Sequence, residues 1–232
     1  MMPATRVKQP EKKKHESGFT LIEMSMVMVI MGIVISIMMT VMPGLLKTGK
    51  IKEARAVLSK YDYVLQGYAL ANNRLPFADN NGDGLEDNVF VGTLPYRTLG
   101  LTHGNDVWGQ PVKYAVYGVN PGADNLTTNI IEPPATTLAE TFIANMNAAA
   151  ITPLNPNIVY VTDSDTCAGG NRLNQAYVIA SGGPKDMDGI NGYFDLCNGA
   201  AGAGFNADNK IQSLDYDDLV RPMSIGELRA KF

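Results

Sequence analysis

Residues 18–46 read GFTLIEMSMVMVIMGIVISIMMTVMPGLL, and from Met24 to Leu46 the run holds 23 residues without a charge. At about 1.5 Å per residue, a helix of that length covers roughly 35 Å, enough to cross a hydrocarbon core of about 30 Å. Met, Val and Ile recur on every face, which suits a helix surrounded by lipid or by other helices rather than an amphipathic surface helix. A cleaved secretory signal fits poorly, because the run exceeds the usual apolar core of about 7–15 residues and no A-x-A follows it. Pro43-Gly44 is expected to kink this helix or to end its most regular part.

The flanks leave orientation open. Arg6, Lys8, Lys12, Lys13 and Lys14 precede the span, and Lys47, Lys50, Lys52 and Arg55 follow it, too even a balance to set topology. Glu23 sits just inside the apolar run. A carboxylate costs about 2.5–3.5 kcal/mol at the bilayer centre and less near the interface, so Glu23 either snorkels to the headgroups or meets a cation. Gly18-Phe19 places a small residue before a bulky one at the junction of the basic and apolar stretches. Cleavage there creates an α-amino cation at Phe19, four residues from Glu23. In a helical bundle that amine can pair with the Glu23 of a neighbouring chain and neutralise both charges.

The order Lys12-Lys13-Lys14, then Gly18-Phe19-Thr20-Leu21-Ile22-Glu23 and a long apolar helix, resembles the class III signal of type IV pilins and type II secretion pseudopilins. The resemblance implies cutting after Gly18 by prepilin peptidase, N-methylation of Phe19, and assembly through Glu23 and the apolar helix. It implies other pilin-like subunits as partners in a helical filament, with no nucleic acid required. It also implies a precursor in the bacterial inner membrane, single-pass with its head outside the cytoplasm, destined for a periplasmic pseudopilus or an extracellular pilus. Pro43 lies further along the helix than is usual in this family. A membrane-anchored minor or tip subunit, binding DNA, a surface or a secreted substrate, is the alternative reading.

Beyond the span, Ala54, Val57, Leu58, Tyr61, Val64, Leu65 and Tyr68 recur at spacings of three and four. They form one stripe of a continuing helix, with Lys47, Lys50, Lys52, Arg55, Lys60 and Asp62 on the other side. Asn72-Asn73 and Leu75-Pro76 supply a stop signal. The organisation expected is therefore a basic leader (1–18), a transmembrane and assembly helix (19–46), its extramembrane continuation (47–71) and a globular head (72–232). Strand-like runs fall at 112–119, 157–162 and 175–180. A second helix is expected over 137–150, and Ser224 with Glu227 reads as the capping box of a short terminal helix. The fold class is α+β: a long N-terminal α-helix, transmembrane in its first half, packed on a small antiparallel β-sheet with a loop-rich C-terminal region that offers calcium ligands.

Leu94-Pro95, Leu99-Gly100-Leu101 and Asp106-Val107-Trp108-Gly109-Gln110-Pro111 leading to Tyr114 resemble a turn-to-strand passage of pseudopilin heads, in which Trp108 is expected to anchor the turn. Two acidic stretches are candidates for calcium. Asp79, Asn81, Asp83, the Leu85 carbonyl and Asp87 have the spacing of the front of a D-x-N-x-D-G loop, but Phe90 stands where a complete site needs a bidentate Glu. The same residues also make Asx turns without metal. Asp186 and Asp188, followed by Asp215, Asp217 and Asp218, resemble the C-terminal calcium loop of major pseudopilins. Their closeness is what that resemblance implies, and an ordinary acidic surface is the other reading.

Cys167 and Cys197 are the only cysteines. An even pair outside the membrane points to a disulfide, with two free buried thiols as the alternative. Closing the loop between them stabilises by about 3–4 kcal/mol in the chain-entropy model.

Composition narrows the function classes. Formal charge is −4, with 45% hydrophobic and 18% charged residues. This is too apolar for a disordered chain and lacks the basic balance of a nucleic-acid binder. The average also hides a segregation: without its basic first eighteen residues the chain carries a formal −7. His15 lies in the basic leader and His103 in a Gly-Asn turn, so no His-based triad or His metal cluster can be built, and no P-loop occurs. A non-enzymatic subunit is expected.

Overall fold

The computed structural model describes residues 18–118, 125–167, 169–190, 192–200 and 202–232. The basic stretch before Gly18 lies outside them. The chain divides at Thr48/Gly49 into an N-terminal helical unit and a head unit, Gly49–Phe232.

Helix α1 spans Leu21–Asn72. It starts with a capping box: the Glu23 N–H donates to Thr20 Oγ1 at 3.3 Å, and the Thr20 N–H donates to Glu23 Oε2 at 3.5 Å. Three hydroxyls in this part of the chain bond back to their own helix, Ser25 to the Ile22 carbonyl, Thr40 to Ser36 and Thr48 to Gly44. No polar group of these side chains is then left unsatisfied in an apolar surrounding. The break expected at Pro43-Gly44 is not an end, because the helix continues through both positions. Losing one backbone donor to proline does not terminate a helix whose other bonds are intact. Asn73 ends α1 in the left-handed region (φ 52°), its N–H bonded to the Ala69 carbonyl at 2.8 Å.

Within the head unit, α1 buries Ala54, Leu58, Tyr61, Leu65 and Ala69 at helical spacing. The main sheet is antiparallel, in the order β1 (Val91–Thr93), β2 (Lys113–Val116), β5 (Tyr177–Ser181), β7 (Leu219–Met223). All five residues of β5 are buried, as expected of a central strand covered on both faces. β7 is an edge strand and carries Pro222, which cannot donate to a further neighbour. A second sheet has the order β4 (Arg172–Asn174), β3 (Tyr160–Thr162), β6 (Gly204–Asn206), in which β3 and β6 run parallel. The short strands β1, β4, β6 and β7 and this second sheet lie outside the sequence expectation. The three residues of β1, β4 and β6 are too few to show alternation, Pro222 obscures β7, and a parallel pairing is set by the chain's return path rather than by local pattern.

Helix α2 (Leu138–Ile151) is capped by Thr137, whose hydroxyl accepts the Glu140 N–H, and buries Thr141, Phe142, Asn145, Met146 and Ala149 on one face. Helix α4 (Ile225–Arg229) is capped by Ser224, which accepts the Glu227 N–H at 3.1 Å. The Phe142 and Phe232 rings meet edge to face at 5.0 Å. Asp106 organises the tryptophan turn. Its Oδ1 accepts the N–H groups of Trp108 and Gln110 at 2.9 Å each, and its Oδ2 accepts the Ser181 hydroxyl at 2.6 Å. Trp108 itself packs half-buried against the core.

Candidate functional site

Two regions carry candidate functional residues, and each stands by itself. In the N-terminal unit, Gly18 and Phe19 precede α1 and are exposed. A Cβ at Gly18 would meet nothing within 4 Å, so the fold itself does not require glycine there. The side chains from Leu21 to Leu46 that the structure describes are exposed along the whole stretch, although almost all of them are apolar. The helix is long and apolar enough to cross a membrane, and its apolar window buries nothing of itself. Glu23 sits at the start of this surface, where among the described residues its carboxylate accepts the Thr20 N–H. The Thr20-x-x-Glu23 spacing is itself a capping-box signal in the sequence.

In the head, the acidic residues after β5 and before β7 converge on Asp195, which sequence reasoning missed. Asp195 is fully buried at the start of the short helix α3 (Leu196–Gly199). Its Oδ1 accepts the Met187 N–H at 2.7 Å and the Asp188 N–H at 3.3 Å, and its Oδ2 accepts the Asp217 N–H at 2.8 Å. Its own N–H donates to Asp218 Oδ2 at 2.9 Å. Two groupings of carboxylate oxygens therefore share it, Asp186–Asp188–Asp195 and Asp195–Asp217–Asp218, each with oxygens within 4.8 Å of one another. The signal was available in Phe194-Asp195-Leu196, but a lone Asp between apolar residues reads as a helix cap.

Asp215 departs from the expectation. It is exposed and belongs to neither grouping. The Ser213–Tyr216 bridge makes a tight turn, which throws Asp215 outward at its tip and sends Asp217 and Asp218 inward.

Asp218 is 3% exposed, and its Oδ1 finds no hydrogen-bond partner among the described residues. Burial pushes its carboxyl up to about 8; the Asn198 and Asp195 hydrogen bonds oppose this, and the charges of Asp195 and Asp217 reinforce it. Burial, then the charge of Asp218, pushes the Tyr216 phenol up as well. Lys113 lies beneath this group. Its Nζ donates to the carbonyls of Asn198 at 2.6 Å and Ala200 at 2.8 Å, and sits over the Phe194 and Phe205 rings. Burial lowers its ammonium to about 8, against the raising effect of Asp218. The donor set is all carboxylate, hard oxygen chemistry, and an orphaned buried oxygen faces it. These residues fit a hard divalent cation of the calcium type.

The other acidic stretch folds on itself. Asp79 Oδ1 accepts the N–H groups of Asn81 and Gly82, and Oδ2 that of Gly84. Asn81 accepts the Asp83 N–H, Asp83 that of Leu85, and Asp87 those of Asn80 and Asn81. These are nested Asx turns, and among the described residues neither carboxylate grouping includes them. Glu86 ties the loop to Arg74 through paired bonds of 2.6 and 2.8 Å.

Cys167 and Cys197 form the expected disulfide. It joins the loop after β3 to α3, two residues beyond Asp195.

Comparison with known proteins agrees with the N-terminal geometry. A family described as "Prokaryotic N-terminal methylation motif" matches residues 13–39. The type II secretion system core protein G of Aeromonas hydrophila is 31% identical over 104 residues, 43% of this chain and 73% of that protein. No solved structure matches. The chain belongs to the family of type IV pilins and type II secretion pseudopilins.

Proposed function

We propose that this chain is a structural subunit of a type II secretion pseudopilus or a type IV pilus, made as a membrane precursor and assembled through α1. The observation that carries this reading is the exposed apolar surface of α1, whose first part lies within the matched methylation motif at residues 13–39. Cutting after Gly18 leaves Phe19 as a cationic N-terminus beside Glu23. In the isolated chain Glu23 caps its own helix; on assembly it exchanges part of that contact for the amine of a neighbour. Burial of the apolar side chains against neighbouring helices supplies most of the association energy, and the charge pair sets register. The head then stands on the non-cytoplasmic side, where a Cys167–Cys197 disulfide is stable.

The head's acidic site is proposed to hold calcium through Asp217 and Asp218, with Asp195 positioning both and Asp186 and Asp188 closing the loop. The ion supplies positive charge to a buried group of carboxylates. The protein's part is to gather them: Asp195 draws the 186–188 turn and Asp217 together, and Asn198 orients Asp218 by a bond of 2.8 Å.

Electron microscopy of sheared filaments, or of pseudopili raised by overproduction, tests the reading by labelling with antibody to this chain. Label along filaments is expected. A chain found only as membrane-bound monomer, or only at filament ends, overturns the assignment as a structural subunit.

A further inference from the structure

The turn that carries Asp195 has two backbone bonds of its own, from the Asn198 N–H to the Asp195 carbonyl and from the Ala200 N–H to the Cys197 carbonyl, each at 3.1 Å. α3 has four residues, and its first, Leu196, adopts φ 52°, a region that is costly for a side chain of this size. Besides the bond from the Leu196 N–H to Asp188 Oδ2 at 2.8 Å, ties from the rest of the head hold it. Cys197 is covalently bound to Cys167, and Cys167 is itself anchored, its carbonyl accepting the Tyr160 hydroxyl of β3 at 2.9 Å. Lys113 of β2 bonds the carbonyls of Asn198 and Ala200. The Asn198 side chain donates to Asp218 Oδ2 and accepts the Asn206 N–H of β6, each at 2.8 Å. Asp195, common to both carboxylate groupings, immediately precedes this pinned turn.

We infer that the Cys167–Cys197 disulfide and Lys113 are the clamps of the cation site, so that cation affinity and disulfide reduction are linked through α3. This rests on the calcium reading proposed above. Lys113 is a positioning residue here: it touches no carboxylate in the hydrogen-bond network but fixes the peptide groups next to Asn198. Reduction runs by exchange. A thiolate from a dithiol reductant attacks one sulfur and forms a mixed disulfide; its second thiolate then displaces the protein sulfur. Cys167 and Cys197 each leave as a thiolate and take up a proton, and the dithiol becomes the oxidised ring. Freed of this bond, the Leu196 turn relaxes and Asp195 loses its place between Asp188 and Asp217. Linkage is reciprocal, so an ion bound to the ordered cluster opposes the opening that exposes the disulfide.

The experiment uses the full chain in detergent micelles, with calcium chloride as probe and dithiothreitol as reductant. Calcium affinity is measured by calorimetry for the oxidised and the reduced chain. The rate of reduction is followed by alkylation and mass spectrometry, with and without saturating calcium. Reduction should weaken affinity at least tenfold, and calcium should slow reduction at least tenfold, a protection that Asp218→Asn removes. Lys113→Met, with the disulfide intact, should also weaken binding. Loss of a nearby cation would by charge alone strengthen it, so tighter binding overturns the clamp role. Met146→Ala, in the core of α2, serves as the stability control and should leave affinity unchanged; an equal loss there attributes the effect to general destabilisation and overturns the linkage. Equal affinities for the two redox forms overturn the linkage but leave the calcium reading standing, whereas no binding by the oxidised chain overturns both. Should the reduced chain unfold, the reduction rate of the native chain decides: no protection by calcium overturns the proposal.

Discussion

Asp62 of α1 and Arg221 of β7, 159 positions apart in the chain, form an ion pair in the head, with Arg221 Nη2 and Nε at 3.0 and 3.2 Å from Asp62 Oδ2. Asp62 is fully buried and also accepts the Tyr177 hydroxyl of β5 at 2.6 Å, while the Arg221 side chain stays half exposed. One carboxylate thus joins the helix to a central strand and to an edge strand. The edge strand is the one that follows Asp217-Asp218, so this pair also sets where the acidic loop returns to the sheet.

Removing the cation should hurt more than removing the anion. Arg221→Met leaves a buried carboxylate with the Tyr177 hydroxyl alone and should cost about 1–3 kcal/mol, below the full value for a buried pair because Arg221 is half in solvent. Asp62→Asn keeps an acceptor for Tyr177 and lets Arg221 turn to water, so it should cost about 1 kcal/mol or less. Urea unfolding of both variants checks the order, and a costlier Asp62→Asn contradicts this account of the pair.

Lys113 sets an alkaline dependence. Its ammonium is lowered to about 8 in the fold against 10.5 for an unperturbed side chain. Between those values the unfolded chain holds a proton that the folded chain has released. Stability of the calcium-free protein should therefore rise as pH increases from 8 towards 10, by on the order of 1 kcal/mol. Above about 10 the trend reverses, because the Tyr61, Tyr68, Tyr114, Tyr177 and Tyr216 phenols are all raised in the fold, by burial first. Lys113→Met should lose this rise by thermal unfolding in a chelator, and keep only the fall near pH 8 from Asp218, whose carboxyl is held up to about 8 in the fold.

Gly183 should not tolerate a side chain. Its φ is +70°, and a Cβ would lie 2.1 Å from Asp217 Oδ1. Gly183→Ala should cost about 1–2 kcal/mol in backbone strain, with further loss from the displaced Asp217. Calcium should raise the melting temperature of the parent chain and fail to raise that of the variant. A normal calcium response in the variant would detach Asp217 from the site.

How much of this was legible in the sequence depends on range. The long apolar helix, the helical stripe from Ala54, the Asn73 stop and the Ser224 cap are local patterns, and each of them appears in the structure. The Cys167–Cys197 pairing followed from there being two cysteines and no third. Asp62 was assigned to the solvent side because a charge beside Tyr61 reads as surface; its burial depends on Arg221, which no window around Asp62 contains. Asp195 was missed for a similar reason, since its partners lie at 187–188 and 217–218. Asp215 stands apart from the other carboxylates because neighbours in sequence alternate in direction around a tight turn. The parallel β3–β6 pairing has no local signature.

Glu23→Ala should leave membrane insertion intact and sharply reduce filament assembly. The substitution removes the anionic partner of a neighbour's N-terminus and half of the Thr20 capping box. Carbonate extraction of membranes, paired with filament yield after shearing, separates the two effects. Unaltered filament yield would show that apolar packing alone sets the register.

The central claim, that this chain is a processed pilin-like subunit, is tested most directly by mass spectrometry of its N-terminus from membranes or sheared filaments. The account predicts a chain that begins at Phe19 with an N-methyl group, and a full-length, unmethylated product from Gly18→Ala. An intact N-terminus in the parent chain, or normal trimming of Gly18→Ala, contradicts it.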